Sequence, residues 1–270
     1  MTIVDKRFEF GKNWTDFVQN HFSAERIEIS KQHILKFMKR RNLNDLAVLD
    51  IGCGSGLHSI AMLGAGAKSV HCFDYDPDSV AATRHSQELV GKPSNWTVQE
   101  GSVLDDAFIE SLPLYDLVYS WGVLHHTGEV WHAIRNAASR VKPGGLFYIA
   151  LYSADVQVNP PPKFWLAVKR RYVSSSWMVR RFIELWYIYR FQLAGNLRKV
   201  PEFLRRAREY KKSRGMNIYI DIRDWLGGWP MEFVCDQEAI DFCSKLDFRL
   251  MEIATGQANT EFLFMRDERS

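Results

Sequence analysis

Cysteine is scarce: four in 270 residues. Cys53, Cys72, Cys235 and Cys243 form no CxxC pair and stand at no ligand spacing from a histidine. A disulfide framework is excluded, and zinc is left without support. Long apolar runs are missing too. The most apolar stretch, Phe182 to Phe191, is broken by Glu184 and Arg190 and is too short to span a bilayer. The first residues mix acids and bases and lack a signal-peptide core, so the chain reads as cytoplasmic. The glycosylation-type triplets at Asn13 and Asn95 then read as chance. No sign of charge dominates, since the net is +3, and 46% hydrophobic with 25% charged residues describes an ordinary folded globule.

That near-neutral total conceals an uneven distribution. Between Tyr152 and Pro230 there are 16 lysines and arginines against 6 acids, a net of +10, while the remainder carries −7. A basic piece therefore interrupts an acidic one. The rhythm of the chain changes at the same points. From Leu46 to Leu151, short apolar runs (Leu46–Ile51, Ser69–Asp74, Trp96–Gln99, Tyr115–Trp121, Leu146–Leu151) alternate with helical patterns, which implies a parallel sheet covered on both faces. After Asn159-Pro160-Pro161-Pro162 the chain turns aromatic and basic. Helices are expected at Lys163–Tyr172, Trp177–Ala194 and Pro201–Lys212, then one at Asp236–Leu246 and two closing strands. The expected fold is α/β: a doubly wound, seven-stranded, mostly parallel sheet with an inserted helical cap. Its parts are an N-terminal helical segment (1–44), an α/β core (45–151), the basic aromatic cap (152–230) and a closing helix and strands (231–270).

The strongest local signal is Val48-Leu49-Asp50-Ile51-Gly52-Cys53-Gly54-Ser55-Gly56, a strand running into glycines and then a helix. Backbone can approach a ligand closely there. A dinucleotide loop of GxGxxG spacing would need glycine at 57, where this chain has Leu57. Asp50 directly before the loop would repel a pyrophosphate but suits an ammonium or sulfonium. Asp74 ends the next strand, 24 residues on, where a carboxylate can accept two ribose hydroxyls.

These stretches, with Phe73-Asp74-Tyr75-Asp76-Pro77, Gly101-Ser102-Val103-Leu104-Asp105, Asp116–Trp121 and Lys142-Pro143-Gly144-Gly145, resemble the ordered motifs of class I S-adenosylmethionine-dependent methyltransferases. Trp121-Gly122-Val123-Leu124-His125-His126-Thr127-Gly128 is similar to the small-molecule branch that includes quinone-biosynthesis methyltransferases. The resemblance implies S-adenosylmethionine as cofactor, S-adenosylhomocysteine as product, and no metal. Gly52, Gly54, Ser55 and Gly56 would line the methionine part, with Asp50 near its ammonium. Asp74 would hold the ribose, and Tyr75 would pack on the adenine. Gly101, Ser102 and Val103 would sit at the adenine edge, with Ser120 and Trp121 beside the sulfonium. Phe8, Phe10 and Trp14 would close the site from the N-terminal side.

The sulfonium is already an activated electrophile, so alignment and water exclusion are the main tasks, and a base is needed only for a protonated acceptor. His125 and His126, after the fourth strand, are the candidates for base or hydrogen-bonding duty. The cap is expected to set specificity, its positive charge favouring an anionic acceptor. Tyr152, Arg170, Arg171, Arg214, Tyr219 and Trp225 are the expected pocket residues, with Arg223 a further candidate for bidentate binding of a carboxylate. The reading is methylation of a small, acidic molecule, at oxygen rather than nitrogen. The alternatives are an N-methyltransferase or a lipid-like substrate at an anionic membrane surface. Nucleic acid is disfavoured because no binding module or base-methylating motif is present, and oligomeric state is left open.

Overall fold

The computed structural model describes residues 14, 18, 23–214, 218–256 and 258–268, without the side chains of 209–214, 220 and 221. Seven strands form one sheet in the order β3-β2-β1-β4-β5-β7-β6. They are β1 Ala47–Ile51, β2 Ser69–Asp74, β3 Trp96–Glu100, β4 Tyr115–Trp121, β5 Val141–Tyr152, β6 Phe248–Thr255 and β7 Asn259–Arg266. The first five pair in parallel, and β7 runs antiparallel to both β5 and β6. This is the expected doubly wound sheet. Because the order reverses between β1 and β4, a crevice opens at their carboxyl ends, the place where such sheets take ligands.

Helices cover both faces. On one lie α1 (Ala24–Phe37), entered through a Ser23 cap whose hydroxyl accepts from the Arg26 N–H, and α2 (Leu57–Gly64). Ile34, Leu35, Ile60 and Ala61 pack there on Val48, Val70, Leu117 and Tyr148. α3 (Pro77–Leu89) begins with proline in its first turn and Asp76 as cap, as its sequence requires. On the opposite face α4 (Asp106–Ser111), α5 (Val130–Ser139) and α10 (Asp236–Ser244) bury Ile109, Val130, Ile134, Ala239 and Cys243 against Leu49, Ile51, Val118 and Phe147. Between β5 and α10 the cap contributes α6 (Pro162–Ser174), α7 (Trp177–Tyr187), α8 (Val200–Arg214) and α9 (Ile218–Gly227). It has a core of its own, in which Tyr172, Val173, Leu193, Phe203, Ile222 and Leu226 are buried together.

Three elements depart from the sequence expectation. The helix expected over Trp177–Ala194 ends at Tyr187, widens into a π segment over Ile188–Gln192, and stops at Ala194 and Gly195, both in the left-handed region. α4 is only six residues long, too short to show a period. α9 lies in a stretch where no helix was expected, and it ends at the glycines that precede Trp229 and Pro230. The return segment then fastens the cap to the sheet. Glu232 N–H donates to the His125 carbonyl (2.8 Å), its carboxylate accepts from Val130 N–H (2.9 Å), and Val234 N–H donates to Tyr152 O (3.0 Å).

Candidate active site

The turn after β1 is shaped by contacts that only glycine permits. Gly52 sits at φ +76°, and a Cβ there would lie 2.4 Å from a Val123 methyl carbon. At Gly54 (φ +56°) a Cβ would come within 3.1 Å of the Trp14 indole, which places Trp14 against the turn. Phe8 and Phe10 lie outside the described residues. α3 braces the turn from behind, with Thr83 Oγ1 donating to Gly54 O (3.0 Å) and Ser86 Oγ donating to Ser55 O (2.7 Å). Neither brace was foreseen, because nothing in a helical serine or threonine marks which carbonyl it will meet.

Two carboxylates flank this turn. Asp50 is buried and accepts from Ser59 Oγ at 2.6 Å. Burial pushes its carboxyl up to about 7; the Ser59 hydrogen bond opposes the rise and the nearby Asp74 charge adds to it. Asp74 is half-buried and spans the turn, accepting from Gly54 N–H and Asp76 N–H, each at 3.0 Å. Burial raises its carboxyl as well, against those two backbone bonds. Among the described residues no cation contributes to the shift of either acid. Such a donor set fits a ligand that brings its own positive charge and hydroxyls, and disfavours a diphosphate. The residues present therefore fit S-adenosylmethionine.

The rest of the expected cofactor rim is placed as follows. Tyr75 is exposed beside Asp74. Gly101 N–H closes onto Asp74 O at 3.0 Å, and Ser102 Oγ accepts from Leu104 N–H. Val103 is buried in the core, so only its backbone can face a ligand. Ser120 is fully buried with its hydroxyl donating to Ile51 O (3.0 Å); it ties β4 to β1, which commits that hydroxyl to the sheet. Trp121 stands at the mouth, edge-on to His58 at 5.9 Å. His58 and Glu261 were missed by sequence reading. His58 meets Tyr119 Oη (3.2 Å), and the Glu261 carboxylate is bonded by His33 and by the Tyr148 hydroxyl. They lie far apart in the chain, and only the sheet brings them under Trp121.

On the far side of the crevice, the His125, His126 and Tyr152 rings pack tilted and edge-to-face, with ring centroids 4.5 Å (His125–His126) and 4.4 Å (His125–Tyr152) apart. His125 is fully buried and its Nδ1 accepts from Tyr152 N–H (3.4 Å). His126 Nδ1 donates to Pro230 O (2.9 Å), since a carbonyl can only accept. Burial drives both imidazoles down, His125 well below its ordinary value and His126 to about 4, so both are neutral at pH 7. Trp225 meets Tyr152 edge-on at 5.6 Å.

The cationic part of the expectation needs correction. Arg170 and Arg171 are exposed on the outer side of α6, Arg170 with its guanidinium over the Trp229 ring at 5.3 Å. The base turned inward is their neighbour Lys169, which is buried, bonds Trp225 O, and lies 4.2 Å above the Trp225 ring. One residue is 100° of helix, and the sequence offers no register to choose among three consecutive bases. Arg223 is drawn to Glu184 (3.5 Å) inside the cap. Tyr219 packs edge-on to Phe203 at 5.9 Å, away from the Tyr152 stack, and the Arg214 side chain lies outside the described residues. Among the described residues no three His, Cys, Asp or Glu side chains gather as a metal site.

Sheet order, glycine turn and paired aspartates define a class I S-adenosylmethionine-dependent methyltransferase domain. Residues 49–147 match the methyltransferase domain family. The chain is similar to a tRNA U34 carboxymethyltransferase of Cellvibrio japonicus, 34% identical over 104 residues, which are 38% of this chain and 32% of that protein. It is also similar to a ubiquinone biosynthesis O-methyltransferase of Rhizobium rhizogenes, 33% identical over 110 residues, 41% of this chain and 42% of the relative. The chain thus spans less than half the length of these curated relatives. An O-methyltransferase family protein from Burkholderia thailandensis shares the fold with TM-score 0.59 at 14% identity, covering 96% of this chain and 60% of that one. So does magnesium protoporphyrin IX methyltransferase from Synechocystis, solved with bound S-adenosylhomocysteine, with TM-score 0.54 at 14% identity over 95% and 94% of the two chains.

Proposed function

We propose that the protein transfers a methyl group from S-adenosylmethionine to an oxygen of a small, anionic acceptor bound beneath the cap. The observation that carries this reading is the pair Asp50 and Asp74 around the glycine turn, two buried or half-buried carboxylates that no described cation offsets. Asp50 would face the ammonium side of the cofactor, Asp74 the ribose, Tyr75 the adenine, and Trp14 and Trp121 would keep water from the reacting end. When bound, the cofactor supplies a methyl group on a sulfonium that departs as a neutral thioether.

The chain's part in the step is alignment and proton handling. His126 has its proton fixed at Nδ1 by Pro230 O, which leaves the lone pair on Nε2. It is therefore the better placed of the two histidines to take a proton from a hydroxyl acceptor as the C–O bond forms. A base depressed to about 4 takes that proton late, once the oxygen has become positive, and needs none at all from a carboxylate. Matches to the tRNA and ubiquinone enzymes span 38% and 41% of this chain, and those two relatives are named for different acceptors, so the matches do not choose one. Incubation with radiolabelled methyl donor and a panel of carboxylic acids, phenols and amines tests the proposal. Label is expected in hydroxylated carboxylic acids, and label only in amines would overturn it.

A second reading, a lipid-like acceptor at an anionic membrane surface, is favoured by α7. Trp177, Met178, Phe182 and Leu185 are 69%, 72%, 77% and 65% exposed, while Glu184 is turned inward onto Tyr172 (2.7 Å) and Arg181 (2.6 Å). The acid that interrupts the apolar stretch in sequence thus leaves the outer face apolar and basic, the pattern of an interfacial helix. No described helix is long and apolar enough to cross a membrane. Co-sedimentation with phosphatidylglycerol vesicles, abolished by Phe182→Ser and by high salt, is the outcome this reading requires.

A further inference from the structure

Four nitrogen-bearing side chains are linked by a chain of ring contacts where the cap seats on the ends of β4 and β5. Trp165 Nε1, Trp225 Nε1 and His125 Nε2 are buried without a hydrogen-bond partner. Lys169 Nζ has only the Trp225 carbonyl, and among the described residues no carboxylate pairs with it. They are one cluster. The Trp165 and Trp225 rings are 5.5 Å apart, Lys169 Nζ is 4.2 Å from the Trp225 ring, and Tyr152 bridges Trp225 (5.6 Å) to His125 (4.4 Å).

All four are donors. Indole nitrogen and ammonium can do nothing else, and His125, whose Nδ1 accepts from Tyr152 N–H, carries its proton on Nε2. Buried polar atoms are ordinarily satisfied, and leaving one unmade costs about 1–3 kcal/mol. Three orphaned donors beside a buried ammonium that has a carbonyl and a ring face but no carboxylate form a donor set that an anionic acceptor would satisfy. Burial lowers the Lys169 ammonium to about 7, and burial is the single cause of that shift. The acid felt nearby is Asp224, which raises the Tyr152 phenol and leaves Lys169 untouched.

We propose that Lys169, Trp165, Trp225 and His125 form a carboxylate-binding site that anchors the methyl acceptor. This rests on the methyltransferase reading above and deepens it by naming the acceptor's handle. Donors that saturate both carboxylate oxygens lower their nucleophilicity, so the methylated oxygen is a second group on the same molecule, a hydroxyl. The acceptor class is then a hydroxy acid. Its planar part would lie among the faces of Tyr152, Trp165 and Trp225.

The test uses the full chain, benzoate as probe and benzamide as its neutral isostere, followed by the indole N–H resonances assigned with Trp165→Phe and Trp225→Phe. Benzoate is expected to move both resonances downfield. Benzamide is expected to bind at least tenfold more weakly, and Lys169→Met to weaken benzoate by at least tenfold. Should Lys169→Met fail to fold, Trp225→Phe keeps the ring, removes one donor, and is expected to weaken benzoate severalfold. Equal binding of benzoate and benzamide, unmoved indole resonances, or unchanged benzoate affinity in the folded variants overturns the site. S-adenosylhomocysteine affinity, measured calorimetrically on the same samples, keeps the two claims apart. If it is retained while benzoate fails, only the anchor is wrong; if it too is absent, the methyltransferase reading falls.

Discussion

The two sides of the crevice are electrostatic opposites. Around the glycine turn, Asp50 and Asp74 are acids from which water is partly withdrawn, with no described cation to offset them. Under the cap, Lys169 and three donor nitrogens are buried with no carboxylate. Each side alone is unfavourable, because an isolated charge in low dielectric shifts towards its neutral form. Both Asp50 and Lys169 do so, and both arrive at about 7 from opposite directions. Together they form a polarity that a cationic donor and an anionic acceptor would complete. The lesson is that unsatisfied charge can identify a binding site more sharply than shape.

The most severe way to break that polarity is Asp74→Ala. It removes the carboxylate proposed to accept from the ribose and also frees Gly54 N–H and Asp76 N–H, the bonds that hold the turn. Charge-assisted hydrogen bonds are worth about 1.5–3 kcal/mol each, so calorimetric affinity for S-adenosylmethionine is expected to fall by about 100-fold or more. Unchanged affinity would remove Asp74 from the ribose.

Asp50→Asn sharpens the comparison through pH. The folded carboxyl titrates near 7, above its unfolded value near 4. The folded state therefore holds more protons between those values, and stability falls as pH rises from about 4 to 7. The variant should flatten that slope in chemical denaturation at several pH values and be the more stable protein at pH 8. It should bind the cofactor about tenfold more weakly there. Below pH 7, binding to the native protein should release a proton, visible as a dependence of binding enthalpy on the buffer's own ionisation heat. A slope unchanged in the variant would show that another group titrates.

Lys169 has the reverse sign. Its folded value near 7 lies below the ordinary 10.5, so the unfolded chain binds more protons between them and stability rises over that interval. Lys169→Met is expected to be more stable than the native protein at pH 7, with the margin shrinking towards pH 10, because burying an apolar isostere avoids the desolvation cost. A margin independent of pH would mean that packing, not charge, sets the difference.

How much of this was legible in the chain differs between the same two regions. On the cofactor side, strand, turn and both aspartates are consecutive or one β-α unit apart, so local spacing carries them, and the parallel, doubly wound character of the sheet followed from the alternation of elements, though its strand order did not. On the acceptor side, Trp165, Lys169, Trp225 and His125 come from three elements up to 100 residues apart, and helix register decides which base faces in. The net charge of the cap pointed to Arg170 and Arg171, which face solvent, and not to Lys169, which is buried. Ser120 erred differently: its place at the end of β4 was read correctly, but its hydroxyl found a main-chain carbonyl, Ile51 O, that no pattern could announce.

The smallest expected effect separates the surface charge of the cap from its buried charge. Arg170 and Arg171 adjoin Lys169 in sequence yet face solvent, Arg170 lying over Trp229. An exposed cation–π contact contributes about 0.5–1 kcal/mol. Arg170→Ala should therefore lower stability by about that amount, and Arg171→Ala should be silent. Neither should change KM for an acidic acceptor by more than about twofold at physiological salt, where exposed charges are screened within about 8 Å. At low salt both should raise KM modestly, through slower encounter with an anion and not through a lost contact. A tenfold rise at physiological salt would place an arginine in the pocket, and the acceptor would then be held by the rim of the cap instead of the buried junction.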